Sequence, residues 1–429
     1  MRSKPATAAR PPWWAVIVVA GALTACSHHP SPPAASPAGP PAGASASSSA
    51  EAATPDQAPG TILGADDLPG TAPALAAASG WAKRITYAST SGIDDHRTRV
   101  SGSVLVPHGV APQGGWPIVA LGHPTTGTAP DCAPSQSPTL LDTAATVEAL
   151  LQGGYVVTIP DYQGLGTGAS PNTYYPYLDS TTVGYNLIDA VRAARKLVPN
   201  TSGRWVALGL SEGGQAAWAA DELADNYGWD TTLLGSASLT PIANIDALAD
   251  DAEAGSLTND QRLTLATYLS ALKREYGADF NLDDYRRGMD ANTWNAFSAC
   301  RGPASTRRAA LEDQITADDL RPATTDATAT LRSYLQKTSL PQAPAKAPML
   351  VVYGGQDNLV PPAWTDQALQ RACGMGDVVE SQLVPGAGHN AIDPSTAFDW
   401  IGERFADRPA PNSCPPPDPG QAGANPPAN

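Results

Sequence analysis

The chain has 429 residues, 42% of them hydrophobic and 16% charged, with 42 Pro, 39 Gly and five Cys. A polypeptide of that length and apolar content can fill a core, which excludes wholesale disorder. With 26 Lys and Arg against 41 Asp and Glu the net charge is −15, a balance that repels phosphate backbones and excludes nucleic acid as a natural partner.

Arg2, Lys4 and Arg10 precede a short apolar run at residues 13–22, and Leu23-Thr24-Ala25-Cys26 follows at once. The run is too short to span a bilayer stably, so residues 1–25 read as an export signal. The LTAC tetrapeptide resembles the lipobox of bacterial lipoproteins, which implies lipidation of Cys26 and a membrane met through that N-terminal anchor. The alternative is a plain secretory signal with Cys26 incidental. Either way the protein is expected outside the cytoplasm, anchored on the outer side of the cell membrane or secreted. Residues 26–60 are almost wholly Pro, Ala, Gly and Ser and cannot bury a core, so they read as a tether. Residues 411–429 form a second Pro-rich tail, with Cys414 inside it.

Between the tails, short apolar runs alternate with helical patterns, the signature of a mostly parallel central sheet flanked by helices. The runs predict strands at 100–106, 117–121, 155–159, 204–208, 233–239, 348–353 and 378–383. Helices are predicted at 139–152, 181–197 and 212–227. Residues 244–345 lack strand candidates and carry helical stretches at 263–276, with Leu265, Leu269 and Leu272 on one face, and at 305–314. The expected organisation is an α/β core over 61–243 and 346–410, with 244–345 inserted as a mainly helical cap over the carboxyl ends of the strands.

The strongest chemical signal is Gly209-Leu210-Ser211-Glu212-Gly213. It follows a predicted strand and opens a predicted helix, the context of a nucleophile elbow in an α/β-hydrolase fold. A turn that sharp brings neighbouring backbone against the positions two before and two after the Ser, where Gly leaves room. A Ser hydroxyl needs a base. Of six His residues only His389 lies beyond Ser211, as the chain order Ser, acid, His requires. Asp357, in the turn that leaves the strand predicted at 348–353, is the favoured acid. A second reading makes it a turn-capping or helix N-cap residue. The developing oxyanion needs donors. One is the N–H of Glu212; a second is expected from the loop Gly122-His123-Pro124-Thr125-Thr126-Gly127. Pro124 has no N–H, so Thr125 or Thr126, by backbone or hydroxyl, is the candidate. His123 reads equally as support for this loop or as a packed histidine. Tyr162, Tyr174, Tyr175 and Tyr177 read as packing and stay outside the predicted site.

These residues carry a resemblance. His123–Gly127 followed by Asp131-Cys132-Ala133-Pro134-Ser135, then Asp161-Tyr162-Gln163-Gly164-Leu165-Gly166, Gly209–Gly213, Gly354–Asp357 and Gly388-His389 are together similar to the secretory lipase family of α/β-hydrolases. The resemblance implies a lid-bearing serine carboxylester hydrolase, acting on acylglycerols or smaller esters in lipid catabolism. Ser211, Asp357 and His389 form the implied triad, with no metal or organic cofactor. Four cysteines besides Cys26 allow three pairings. The family pattern implies Cys132 with Cys300 and Cys373 with Cys414. Bacterial relatives commonly carry Gly where Pro124 stands, so the second oxyanion donor stays open. A monomer is expected. A peptidase or an acyltransferase would use the same triad, and a non-catalytic binding lipoprotein is the reading from another class.

Overall fold

The computed structural model describes residues 57–170, 173–290, 294–300, 310–312 and 314–416. The export signal, Cys26 and residues 26–56 of the tether lie outside the described residues, as do 417–429 of the tail and most of the helix predicted at 305–314.

Nine strands form one sheet in the order β1-β2-β3-β5-β4-β6-β7-β8-β9. The central and C-terminal strands are β4 (Trp116–Gly122), β5 (Val156–Pro160), β6 (Thr201–Leu210), β7 (Thr232–Leu239), β8 (Met349–Gly354) and β9 (Val379–Val384), all joined in parallel. β3 (Arg97–Pro107) pairs antiparallel with β5, and β2 (Ser79–Thr90) and β1 (Ile62–Asp67) extend the sheet antiparallel beyond it. This is the α/β-hydrolase architecture expected from the sequence, with two strands that the apolar runs did not reveal. The reason is side-chain polarity. β1 and β2 carry Asp66, Asp67, Lys83 and Arg84, which face water and pair across the hairpin, Lys83 Nζ to Asp67 at 2.6 Å. Strands of an antiparallel sheet rim alternate instead of running apolar throughout.

Successive strand residues bury into opposite layers. On one side Val119, Leu121, Val206 and Leu208 pack with Val147, Leu150 and Leu151 of α2 (Ala144–Gln152; α1 is Pro73–Ala78) and with Trp400 and Ile401 of the last helix, Phe398–Phe405. On the other, Ile118, Ala120, Trp205 and Ala207 meet α3 (Ser180–Leu197) and α4 (Glu212–Glu222). The predicted helix at 139–152 begins five residues later, because Leu140, Leu141 and Asp142 all take positive φ, a left-handed turn that no α-helix contains. The helix predicted to reach residue 227 ends at Glu222.

Between β7 and β8 lie α5 (Leu248–Ala254), α6 (Asn259–Tyr276) and α7 (Thr325–Thr338). α6 starts with a capping box in which the Thr258 hydroxyl accepts from Gln261 N–H and the Gln261 side chain accepts from Thr258 N–H. Leu265, Leu269 and Leu272 of α6 are buried in the same apolar cluster as α3 and α4, so the inserted segment shares the core of the sheet. α8 (Pro362–Met375) covers β8 through Ala368, Leu369 and Ala372, and α9 is the helix Phe398–Phe405.

Candidate active site

Ser211 sits between the end of β6 and the first residue of α4, with φ 60° and ψ −118°. A non-glycine residue holds such a conformation only where its surroundings over-determine it. Here the restraint is glycine packing. A Cβ on Gly209 would stand 1.9 Å from the Gly213 carbonyl oxygen, and one on Gly213 would stand 2.0 Å from the Gly122 carbonyl oxygen at the end of β4. Ser211 N–H donates to Leu239 C=O of β7 at 2.9 Å, which pins the turn across the sheet.

Two further loops converge on Ser211. The turn after β8 and the loop after β9 run against each other without side chains between them. A Cβ on Gly354 would fall 2.3 Å from Ala387 O, and Gln356 N–H donates to the same oxygen at 2.9 Å. This close approach brings His389 Nδ1 to 2.8 Å from Asp357 Oδ2, and His389 Nε2 to 2.8 Å from Ser211 Oγ. With Nδ1–H donating to the carboxylate, Nε2 is left to accept the serine proton. The other Asp357 oxygen, Oδ1, accepts from Leu359 N–H at 2.8 Å and Val360 N–H at 2.9 Å. The two Asp357 oxygens thus have different partners, His389 on Oδ2 and the turn N–H groups on Oδ1. Asp357 caps a turn and not the helix, since the N-cap of α8 is Pro361. All three side chains are buried.

The loop after β4 holds the other candidate residues of the site. The Thr126 hydroxyl donates to Cys132 C=O at 2.7 Å, which commits it to closing its own loop, while Thr125 Oγ lies 2.9 Å from the Tyr177 hydroxyl. The two threonine hydroxyls, equivalent in the sequence, thus have different partners. His123 is buried, with Nδ1 2.8 Å from Pro124 O and Nε2 3.3 Å from Asp161 O, and its ring lies 4.3 Å from that of Tyr162. Burial holds it below the ordinary imidazole value, so it braces the loop as a neutral ring.

Asp161 was not singled out as a site residue. Its carboxylate accepts from Ser101 Oγ–H at 2.6 Å, Ser135 N–H at 2.8 Å and Ser135 Oγ–H at 2.5 Å, fastening the segment beyond Cys132 to the sheet. Burial raises its pKa against the pull of those hydrogen bonds. Asp161 and Ser135 belong to two of the stretches that carried the family resemblance, and their contact explains why the stretches go together.

Disulfides join Cys132 to Cys300 and Cys373 to Cys414. The first ties the β4 loop to the inserted segment. It is reinforced by Thr128 N–H and Ala129 N–H donating to Ser298 C=O, and by Arg274 of α6 donating to Thr128 C=O at 3.0 Å and Ser298 Oγ at 2.8 Å. Among the described residues, the one group with metal-ligand spacing is Asp131 with Cys132 and Cys300, whose sulfurs are spent on that disulfide. A cleft of about 460 Å³ lies between α2, the ends of β4 and β6 and the segment after His389; Leu210 and Asn390, chain neighbours of Ser211 and His389, line it together with Leu121, Leu208, Ile392 and Phe398.

Fold and site together define an α/β-hydrolase with a Ser, His and Asp hydrogen-bonded in series at the sheet's carboxyl edge. The chain belongs to the secretory lipase family, whose model matches residues 135–413. Among solved structures, Candida antarctica lipase A in its closed state superposes with a TM-score of 0.65 at 17% identity, over 82% of this chain and 84% of that one. The rice cell wall degrading esterase LipA from Xanthomonas oryzae gives 0.64 at 22% identity, over 81% of this chain and 98% of that one. No curated protein matches the sequence.

Proposed function

We propose that this protein is a serine carboxylester hydrolase of the lipase and esterase type, acting through an acyl-enzyme on Ser211. The observation that carries the reading is the continuous series Ser211 Oγ, His389 Nε2, His389 Nδ1 and Asp357 Oδ2, with both hydrogen bonds at 2.8 Å. In this mechanism His389 takes the Ser211 proton as Oγ adds to the ester carbonyl. Asp357 holds the imidazole in the productive tautomer and stabilises the imidazolium. The tetrahedral oxyanion is received by Glu212 N–H, at the start of α4, and by Thr125. Return of the proton from His389 to the leaving oxygen releases the alcohol, and water activated by His389 then frees the acid.

Family membership and the apolar cleft beside Leu210 support an ester with a hydrocarbon substituent as substrate. The inserted segment 244–345 acts as a cap in this reading, because it meets the β4 loop directly at Cys300 and Ser298. Lipidation of Cys26 would place the enzyme at a membrane surface, with acylglycerols as the physiological class.

The test is hydrolysis of p-nitrophenyl esters of increasing chain length, together with labelling by an active-site phosphonate, for the wild type and Ser211→Ala. Both activities are expected in the wild type and neither in the variant. Ester hydrolysis that survives in Ser211→Ala would overturn the assignment. Turnover of peptides in preference to esters, or acyl transfer to an added alcohol outpacing hydrolysis, would move it to a peptidase or an acyltransferase.

A further inference from the structure

Three buried tyrosines left unused by the mechanism connect the residue after Ser211 with the loop after β4. Tyr175 and Tyr177 follow the Asp161–Gly166 turn and reach in opposite directions. The Tyr175 hydroxyl donates to Glu212 Oε1, which also accepts from Leu178 N–H at 3.4 Å. The Tyr177 hydroxyl meets Thr125 Oγ at 2.9 Å. Their rings pack edge to face at 6.0 Å, and Tyr175 stacks on Tyr162 at 6.2 Å. Tyr162 in turn lies on His123 and donates its hydroxyl to His123 C=O at 3.4 Å. One short segment thereby holds the residue after the nucleophile and the loop after β4, which come from different strands.

We propose that Tyr175 and Tyr177 are positioning residues that fix the separation of the two oxyanion donors, Glu212 N–H and the Thr125 hydroxyl. The proposal rests on the assignments of Ser211 as nucleophile and of Thr125 as the second oxyanion donor. The proton count gives Tyr177 a specific task. A threonine hydroxyl has one proton and two acceptor lone pairs. When Tyr177 O–H donates to Thr125 Oγ, the Thr125 proton is turned away from the tyrosine and is available to the developing oxyanion. Tyr175 acts through the Glu212 side chain, whose anchoring sets the first peptide of α4. Burial, and next to it the Glu212 carboxylate, raise the Tyr175 phenol well above its ordinary value, so it remains a donor throughout the working range. Preorganised donors contribute chiefly in the transition state, so the expected signature lies in kcat.

The experiment is a double-mutant cycle on hydrolysis of p-nitrophenyl butyrate, with active enzyme counted by phosphonate labelling of Ser211. Tyr177→Phe is expected to lower kcat roughly tenfold to a hundredfold with KM within about threefold, Thr125→Val at least as much, and Thr125→Ser much less. In the Thr125→Val background, Tyr177→Phe is expected to cost little further, because its target hydroxyl is gone. Tyr175→Phe is expected to lower kcat with the same KM pattern in either background. Multiplicative losses from Tyr177→Phe in both backgrounds, or a change confined to the melting temperature, would show a packing role and overturn the proposal. A wild type that neither labels nor hydrolyses esters would instead overturn the nucleophile assignment on which it stands.

Discussion

Gly213 and Gly122 meet backbone to backbone, with room for no Cβ: one placed on Gly213 would stand 2.0 Å from the Gly122 carbonyl oxygen and 3.0 Å from His123 N. The second glycine of the Ser211 motif therefore serves the neighbouring strand as well as its own turn, because it lets the β4 loop close over the start of α4. Gly213→Ala is expected to push that loop away from Ser211 and to lower kcat/KM by about a hundredfold or more, since a displacement near 1 Å is enough for such a loss. Ester kinetics alongside far-UV circular dichroism check this. Full activity in a folded Gly213→Ala variant would contradict the packing argument.

The two oxygens of Asp357 have separable duties. Asp357→Asn retains an oxygen that can accept from Leu359 and Val360 N–H but offers His389 an amide where a carboxylate was. We expect kcat to fall roughly 10³- to 10⁴-fold with the melting temperature nearly unchanged. Asp357→Ala loses both functions and is expected to melt several degrees lower as well, having left two buried N–H groups without their acceptor. Paired kinetic and thermal measurements distinguish the two variants. Equal melting temperatures for them would remove the turn-capping role.

The return from the inserted segment to β8 is held by three buried carboxylates. Glu222 accepts from Gln342 and Ala343 N–H, Asp377 from Ala345 N–H, and Asp221 from Ala347 N–H and Ser236 Oγ–H. Burial pushes Asp221 up to about 7, Glu222 to about 8 and Asp377 to about 6. An unfolded carboxylate titrates near 4, so between that value and about 8 the folded chain binds more protons than the unfolded one. The stabilisation is complete below the unfolded value and is lost as pH rises through 6 to 8. The melting temperature is expected to be roughly 3–6 °C lower at pH 9 than at pH 5.5, and the difference to shrink in Glu222→Gln. Calorimetry at the two pH values measures it; a melting temperature that rises with pH would refute the sign.

The Cys132–Cys300 disulfide closes a sequence separation of 168 residues and the Cys373–Cys414 disulfide one of 41. Chain entropy makes the first worth more, about 5 kcal/mol against about 4 in the loop-closure model. Its removal also releases the β4 loop from the inserted segment. Replacing Cys132 and Cys300 together by Ser is expected to depress both stability and ester turnover, whereas the same change at Cys373 and Cys414 is expected to act mainly on stability. Denaturant unfolding and kcat on the two double variants compare them. Greater kinetic damage from the C-terminal pair would be inconsistent with this account.

What the sequence by itself determined is local or ordinal. The strand, sharp turn and helix around Ser211 are written in one continuous stretch of sequence, and His389 is the only histidine after it. Asp357 stands in the turn that leaves a continuous apolar strand. The central strands were legible for the same reason, since a strand buried on both faces is apolar at every position. Tertiary structure alone decided the rest. The polar rim strands β1 and β2 declare themselves only through pairing, and the left-handed turn at Leu140–Asp142 delays α2 against its helical pattern. Thr125 parts from Thr126, Asp161 finds Ser135 26 residues away, and Tyr175 finds Glu212 37 residues away, through contacts that no periodicity encodes. A side chain's partner across a sheet is set by which loops the strand order brings together, whereas its preference for a turn, a strand or a helix is set by its own covalent neighbours.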